Sequence, residues 1–138
     1  RNAEAVITVF ADTSYYIALL HARDDNHQKA RVYTDHFDGR MITTAWIVTE
    51  LANALAKGTN RRSFADLLQD LEGDERVQIR SAGDDLFKRG LNLYLRRTDK
   101  DWSLTDCISF QVMEEMGLND ALTADRHFEQ AGFTVLLG

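Results

Sequence analysis

Short apolar runs alternate along the chain with longer stretches of helical period, and that alternation leaves few folds open. Five runs have the length and content of buried strands: Val6 to Phe10, Met41 to Thr43, Val77 to Ile79, Ala121 to Thr123 and Thr134 to Leu137. Between them, Phe64, Leu67, Leu68 and Leu71 recur at i, i+3, i+4 and i+7, and Phe87, Leu91, Tyr94 and Leu95 at i, i+4, i+7 and i+8. Each set predicts a helix with one buried face. Further helices are expected over 13–21, 25–37, 45–57 and 104–116, with a short helical turn near 127–131. The expected fold is therefore α/β, with a mostly parallel sheet covered by helices. At 138 residues the chain has the size of one domain, and no linker or repeat divides it. Residues 1–138 are read as a single domain.

Charge and cysteine content narrow the function. Sixteen Lys and Arg against 22 Asp and Glu give a net charge of −6, so no global positive field is available to coat a nucleic acid. A polyanionic substrate needs local help from metal ions or a basic rim. Cys107 is the only cysteine, which excludes a disulfide and a cysteine-based zinc site and fits a reducing cytoplasm. The longest apolar run, Tyr15 to Leu20, is far shorter than the roughly 20 residues that span a bilayer. No charged-then-apolar leader opens the sequence, which begins at Arg1, and neither membrane anchoring nor export is expected.

Two segments share a pattern: Val9-Phe10-Ala11-Asp12-Thr13-Ser14 and Leu122-Thr123-Ala124-Asp125-Arg126-His127. In each, an apolar strand runs into Ala-Asp and then a helix start, which places the aspartate just beyond the carboxyl end of a strand. Ligands bind at that edge of open α/β sheets. Asp106, in Ser103-Leu104-Thr105-Asp106, opens the apolar run Ile108, Val112, Met116, and Glu50 lies inside the helix around Trp46-Ile47-Val48-Thr49-Glu50-Leu51. Taken singly, the aspartates have an ordinary reading as helix caps, and Ser103 with Asp106 has the spacing of a capping box. Glu50 is too far into its helix to cap it, and its plain alternative is solvent exposure.

Together the four make a sharper statement. Two like charges about 4 Å apart repel by roughly 4 kcal/mol at an effective dielectric near 20, so converging carboxylates require a cation or shared protons. An all-oxygen donor set, with no Cys or His cluster at ligand spacing, suits Mg²⁺ or Mn²⁺ and disfavours zinc. Such an ion orients a phosphodiester, polarises its oxygens and acidifies a water, so hydrolysis of a nucleic-acid backbone follows.

The set resembles the PIN-domain ribonucleases, and especially the small VapC-type toxins of toxin–antitoxin pairs. The resemblance covers nearly the whole chain. It rests on Asp12-Thr13-Ser14 after the opening strand, Glu50 on the helix after the second strand, Ser103-Leu104-Thr105-Asp106, and Thr123-Ala124-Asp125-Arg126-His127-Phe128 followed by Gly132-Phe133. It implies a PIN-like three-layer fold with a five-stranded parallel sheet in the order 3-2-1-4-5, which brings Asp12 and Asp125 together at the switch point. It further implies that Asp12 and Asp106 are the principal metal ligands, that Asp125 completes the site directly or through a water, and that Glu50 holds the metal through a water and helps place the attacking water. The Thr13 and Ser103 hydroxyls would orient neighbouring carboxylates, although helix capping explains Ser103 equally well. The implied activity is endoribonucleolytic hydrolysis leaving a 5′ phosphate and a 3′ hydroxyl. The implied partners are an RNA substrate, a small antitoxin that fills the acidic cleft, often with a basic side chain, and a second copy in a homodimer.

Other residues carry weaker expectations. Arg96, Arg97, Lys100 and Arg126, with Arg61 and Arg62, are candidates for a basic rim on RNA, against the plain reading of a solvated surface. Trp102 is a candidate for stacking on an unpaired base, whereas Trp46 reads as core. His127 reads first as structural and second as a phosphate or proton-transfer group; His21, His27 and His36 form no ligand grouping. Cys107 reads as a packing residue. Two competing functions remain: a catalytically idle PIN-like module that binds RNA or protein, and a phosphoaccepting receiver domain. The second is disfavoured because the first strand ends in the lone Asp12 and no lysine follows Lys100.

Overall fold

The computed structural model describes residues 6–138. In chain order the elements are β1 (Thr8–Ala11), α1 (Thr13–Leu20), α2 (His27–His36), β2 (Arg40–Thr44), α3 (Ala45–Ala54), α4 (Asn60–Gly73), β3 (Val77–Arg80) and α5 (Asp84–Arg96). They continue with α6 (Leu104–Met116), β4 (Asp120–Leu122), α7 (Arg126–Gln130) and β5 (Thr134–Val135). All five strands are parallel, in the order β3-β2-β1-β4-β5, as the resemblance implies. A receiver domain is excluded, since doubly wound folds of that kind run 2-1-3-4-5.

β1 lies at the centre, and its neighbours β2 and β4 are reached by connections running in opposite directions. This makes the β1/β4 boundary the switch point of the sheet, where the loops diverge and leave a crevice. Val9, Phe10 and Ala11 on β1 are fully buried, as are Ala121 and Leu122 on β4. Such continuous burial is what helices on both faces of a parallel sheet impose. α6 is buried from Asp106 through Phe110 and again at Val112 and Met113, so it is a core helix. It ends at Gly117, whose φ of +67° gives the left-handed cap that a side chain would strain.

Three expectations need correction. The first strand starts at Thr8, where pairing with Arg40 begins; Val6 and Ile7 precede it and are exposed. Ile7 nonetheless accepts from the Arg40 N–H at 2.8 Å, and a Cβ on Gly39 would stand 2.2 Å from that same carbonyl oxygen, so only glycine fits there. The last strand is shorter than Thr134 to Leu137, although Leu136 and Leu137 continue to donate to Ala121 and Thr123 at 3.0 Å each.

The third correction concerns helix phase. On α5 the buried residues are Leu86 and Gly90, not the stripe Phe87, Leu91, Tyr94 and Leu95; Leu95 is 62% exposed and Tyr94 45%. The reason is Gly90, which lets the α5 backbone approach α6 so closely that a Cβ would lie 2.3 Å from Ile108 Cγ1. Close packing at the glycine outweighs the apolar content of the opposite face. On α4, Phe64, Leu67, Leu68 and Leu71 are half-buried, and the helix has no fully buried residue. Among the described residues no helix is long and apolar enough to cross a membrane.

Candidate active site

Each carboxylate is delivered by a specific piece of backbone. Asp12 follows β1 as the residue before α1, and its N–H donates to Leu122 of β4 at 3.2 Å, which locks the two strand ends together. Glu50 stands on α3, which begins directly after β2 because Thr44 caps it by accepting from the Ile47 N–H at 3.1 Å. Thr43 reinforces that placement by donating to the Ala11 carbonyl at 2.9 Å. Asp106 is the third residue of α6 and completes a true capping box with Ser103. Asp125 caps α7, accepting from the His127 N–H at 2.9 Å.

All four therefore meet at the carboxyl edge of the sheet. They line one cavity of about 470 Å³ together with Thr13, Ser14, Ser103 and His127, and Asp24 and Asp101 add further acidic character. The capping explanation for the aspartates is correct locally, since Asp106 and Asp125 do cap helices, but it does not account for their convergence.

The hydrogen bonds follow one pattern. Asp12 Oδ2 accepts from Thr123 Oγ1 at 2.7 Å and from Ser14 Oγ at 3.3 Å. Glu50 Oε1 accepts from Thr13 Oγ1. Asp106 Oδ2 accepts from the Ser103 N–H at 3.1 Å and from His127 Nδ1 at 2.9 Å. Asp125 Oδ1 is taken by the His127 N–H. Among the described residues no hydrogen bond reaches Glu50 Oε2, Asp106 Oδ1 or Asp125 Oδ2. In these three, one oxygen orients the group and the other is left for a ligand, which is how outer-shell donors prepare carboxylates for a hard cation.

Electrostatics agree. Burial pushes Asp12 up to about 6, with Asp106 and Glu50 adding like-charge repulsion against the lowering effect of the Thr123 and Thr13 hydrogen bonds. Burial likewise raises Asp106, with Asp125 contributing, against the His127 and Ser103 hydrogen bonds. Burial works against charge on His127, but Asp106 and Asp125 outweigh it and hold the imidazole above its ordinary value. A divalent cation relieves this repulsion. The oxygen-rich donor set fits Mg²⁺ or Mn²⁺, and Asp106 and Asp125 each carry a potential ligand oxygen within 4.8 Å of the other.

The remaining expected site residues divide. Trp102 does not offer a free face: it is 6% exposed, stacks edge-on against Phe110 and donates from Nε1 to Gln130 Oε1 at 3.1 Å. Arg97 covers its ring at 4.9 Å and pairs with Asp99 at 3.0 Å, so both residues are committed to the protein. Base stacking by Trp102 is thereby corrected to a packing role. Arg96 and Arg126 are exposed and Lys100 is half-exposed, and the loop from Arg97 to Ser103 leads from α5 to the cavity wall. Arg61 donates to the Ala56 carbonyl at 2.7 Å and Arg62 lies 3.5 Å from Asp66, as ordinary surface groups do. Trp46 packs half-buried against the core, and Cys107 is fully buried with its thiol pushed up to about 11 by burial.

Sequence reasoning ranked His127 as structural first and left Thr123, Ser14, Asp24 and Asp101 aside. Position 127 carried a signal, because it stands two residues past a capping aspartate. Thr123 carried none: its contact with Asp12 spans 111 positions of chain.

The fold and the site define a PIN domain, and the chain belongs to the PIN-domain family, whose model matches residues 9–134. Among known proteins it is similar to the 23S rRNA-specific endonuclease VapC20 of Mycobacterium tuberculosis, 26% identical over 125 residues that cover 91% of this chain and 95% of the relative. The crystal structure of that protein, described as a sarcin–ricin loop cleaving toxin, superposes with a TM-score of 0.83 at 24% identity, covering 91% and 96% of the two chains. FitAcB from Neisseria gonorrhoeae gives 0.64 at 17% identity over 92% and 95%. VapBC2 from Rickettsia felis, solved with a fragment of promoter DNA, gives 0.63 at 10% identity over 94% and 97%.

Proposed function

We propose that residues 1–138 act as one Mg²⁺- or Mn²⁺-dependent endoribonuclease domain, the toxin of a toxin–antitoxin pair working in the cytoplasm. The observation that carries this reading is the single cavity where Asp12, Glu50, Asp106 and Asp125 meet, three of them with an oxygen that no donor among the described residues occupies. Asp12, Asp106 and Asp125 would hold the ion. When bound, it supplies positive charge to the phosphodiester oxygens and lowers the pKa of a water. Glu50, steadied by Thr13, accepts a hydrogen bond from the attacking water and aims it at phosphorus. The water oxygen bonds to phosphorus as the phosphorus–O3′ bond breaks, and the proton the water gives up ends on O3′, leaving a 3′ hydroxyl and a 5′ phosphate. Arg96, Lys100 and Arg126 would contact flanking phosphates.

The mycobacterial relative is a 23S rRNA-specific endonuclease, which makes ribosomal RNA the substrate to test first. The VapBC2 and FitAcB structures, which are toxin–antitoxin complexes, favour a small antitoxin as partner, and an acidic cleft accepts an arginine as readily as an ion. A homodimer has a concrete surface in the outward stripe of α5. The exposed Phe87, Tyr94 and Leu95, with half-buried Leu91 beside them, are the apolar surface that a second copy would cover.

The test is incubation of the full chain with ribosomal RNA in Mg²⁺ or Mn²⁺, repeated with EDTA and with Asp12→Asn. Cleavage confined to the metal-loaded wild-type chain is expected. Cleavage in EDTA, or full activity in Asp12→Asn, overturns the mechanism; no cleavage of any RNA leaves the idle module as the better description.

A further inference from the structure

Resting on the metal-dependent reading above, we infer that His127 is a positioning residue that sets which oxygen of Asp106 faces the ion. The α6 cap is complete without it: Ser103 Oγ accepts from the Asp106 N–H at 3.0 Å, and the Ser103 N–H reaches Asp106 Oδ2 at 3.1 Å. The imidazole adds a second donor to that same oxygen, from Nδ1 at 2.9 Å. A carboxylate has only lone pairs to offer, so Nδ1 carries the proton in this contact. With Oδ2 held by two donors from different segments, rotation of the carboxylate is blocked and Oδ1 stays available. The backbone of the same residue does the parallel task for Asp125, whose Oδ1 it holds at 2.9 Å. His127 thus ties the carboxylate of α6 to the carboxylate that follows β4, and its side chain also lines the cavity.

A helix cap explains neither the second donor nor its origin in another element. Donors of this kind that orient a ligand without being one affect metal affinity by about 10–100-fold. The experiment is calorimetric titration of Mn²⁺ alone into the full chain as wild type, His127→Ala, His127→Asn and His127→Gln, with Asp12→Asn as the control for the site itself. His127→Ala is expected to weaken Mn²⁺ binding within that range. His127→Asn should recover most of the loss, because its amide nitrogen occupies the place of Nδ1, while His127→Gln, whose amide reaches towards Nε2, should not. Circular dichroism without metal reports whether each variant folds; if His127→Ala does not, the Asn-against-Gln comparison decides. Equal Mn²⁺ affinity in His127→Ala and wild type, or no advantage of Asn over Gln, overturns the inference while leaving the metal site intact. Failure of the wild-type chain to bind Mn²⁺ removes the nuclease reading and the inference together.

Discussion

Thr123 Oγ1 donates to Asp12 Oδ2 at 2.7 Å, so a hydroxyl at the end of β4 holds the carboxylate that ends β1. Both side chains are buried, and the contact crosses the switch point of the sheet. Thr123→Val keeps the shape and removes the donor. We expect Mg²⁺-dependent RNA cleavage to fall by about 10–100-fold, with a rise in the Mg²⁺ concentration for half activity. Kinetics across a Mg²⁺ series check this.

Asp12 also predicts how stability follows pH. Its value in the folded chain, about 6, lies above the ordinary 3.8. The stability associated with the protonated group is complete below 3.8 and is lost as pH climbs through about 6. The loss is of the order of 3 kcal/mol at neutral pH in the absence of metal. Asp12→Asn should therefore make the metal-free chain more stable near neutrality and flatten this part of the pH profile. Urea unfolding at pH values across that window, with EDTA, measures it; added Mg²⁺ should stabilise the wild type and leave Asp12→Asn nearly unchanged.

Gly90 holds the spacing between α5 and α6. An added methyl would meet Ile108 Cγ1 at 2.3 Å and the Ile108 backbone nitrogen at 3.1 Å, two residues past Asp106. Gly90→Ala should cost about 1–3 kcal/mol, as overpacking does, measured by urea denaturation at constant m-value.

Trp102 and Arg96 should behave oppositely. Trp102→Phe removes the Nε1–H bond to Gln130 and is expected to lower stability by about 1 kcal/mol while leaving RNA affinity unchanged. Arg96→Ala should weaken RNA binding and reduce its salt dependence without a stability cost. Filter binding across a salt series separates the two.

The α5 stripe gives a test at the surface. Leu95→Asp places a charge at its most exposed apolar position, and light scattering should report a monomer where the wild type is a dimer.

The alternation of strand and helix and the Ala-Asp endings of β1 and β4 were legible because strand burial and helix capping are local rules. Glu50 was legible as an acidic residue on an apolar helix. The α5 phase was not, because a periodic stripe reveals amphipathicity but not which face a neighbour prefers, and at Gly90 close backbone approach decided it. Trp102 misled for a related reason: Phe110 and Gln130, which bury and satisfy it, are distant in sequence. Thr123 was hidden because it acts on a carboxylate of another element, and for the same reason the sequence near His127 signalled its backbone contact with Asp125 but not its ring contact with Asp106.

The most direct test of the central claim is anomalous diffraction from crystals grown with Mn²⁺. The account predicts a manganese peak within coordination distance of Asp12 and Asp106, with Asp125 and Glu50 facing it. A cavity without manganese at saturating concentration, or a peak bound elsewhere while RNA cleavage persists, would contradict it.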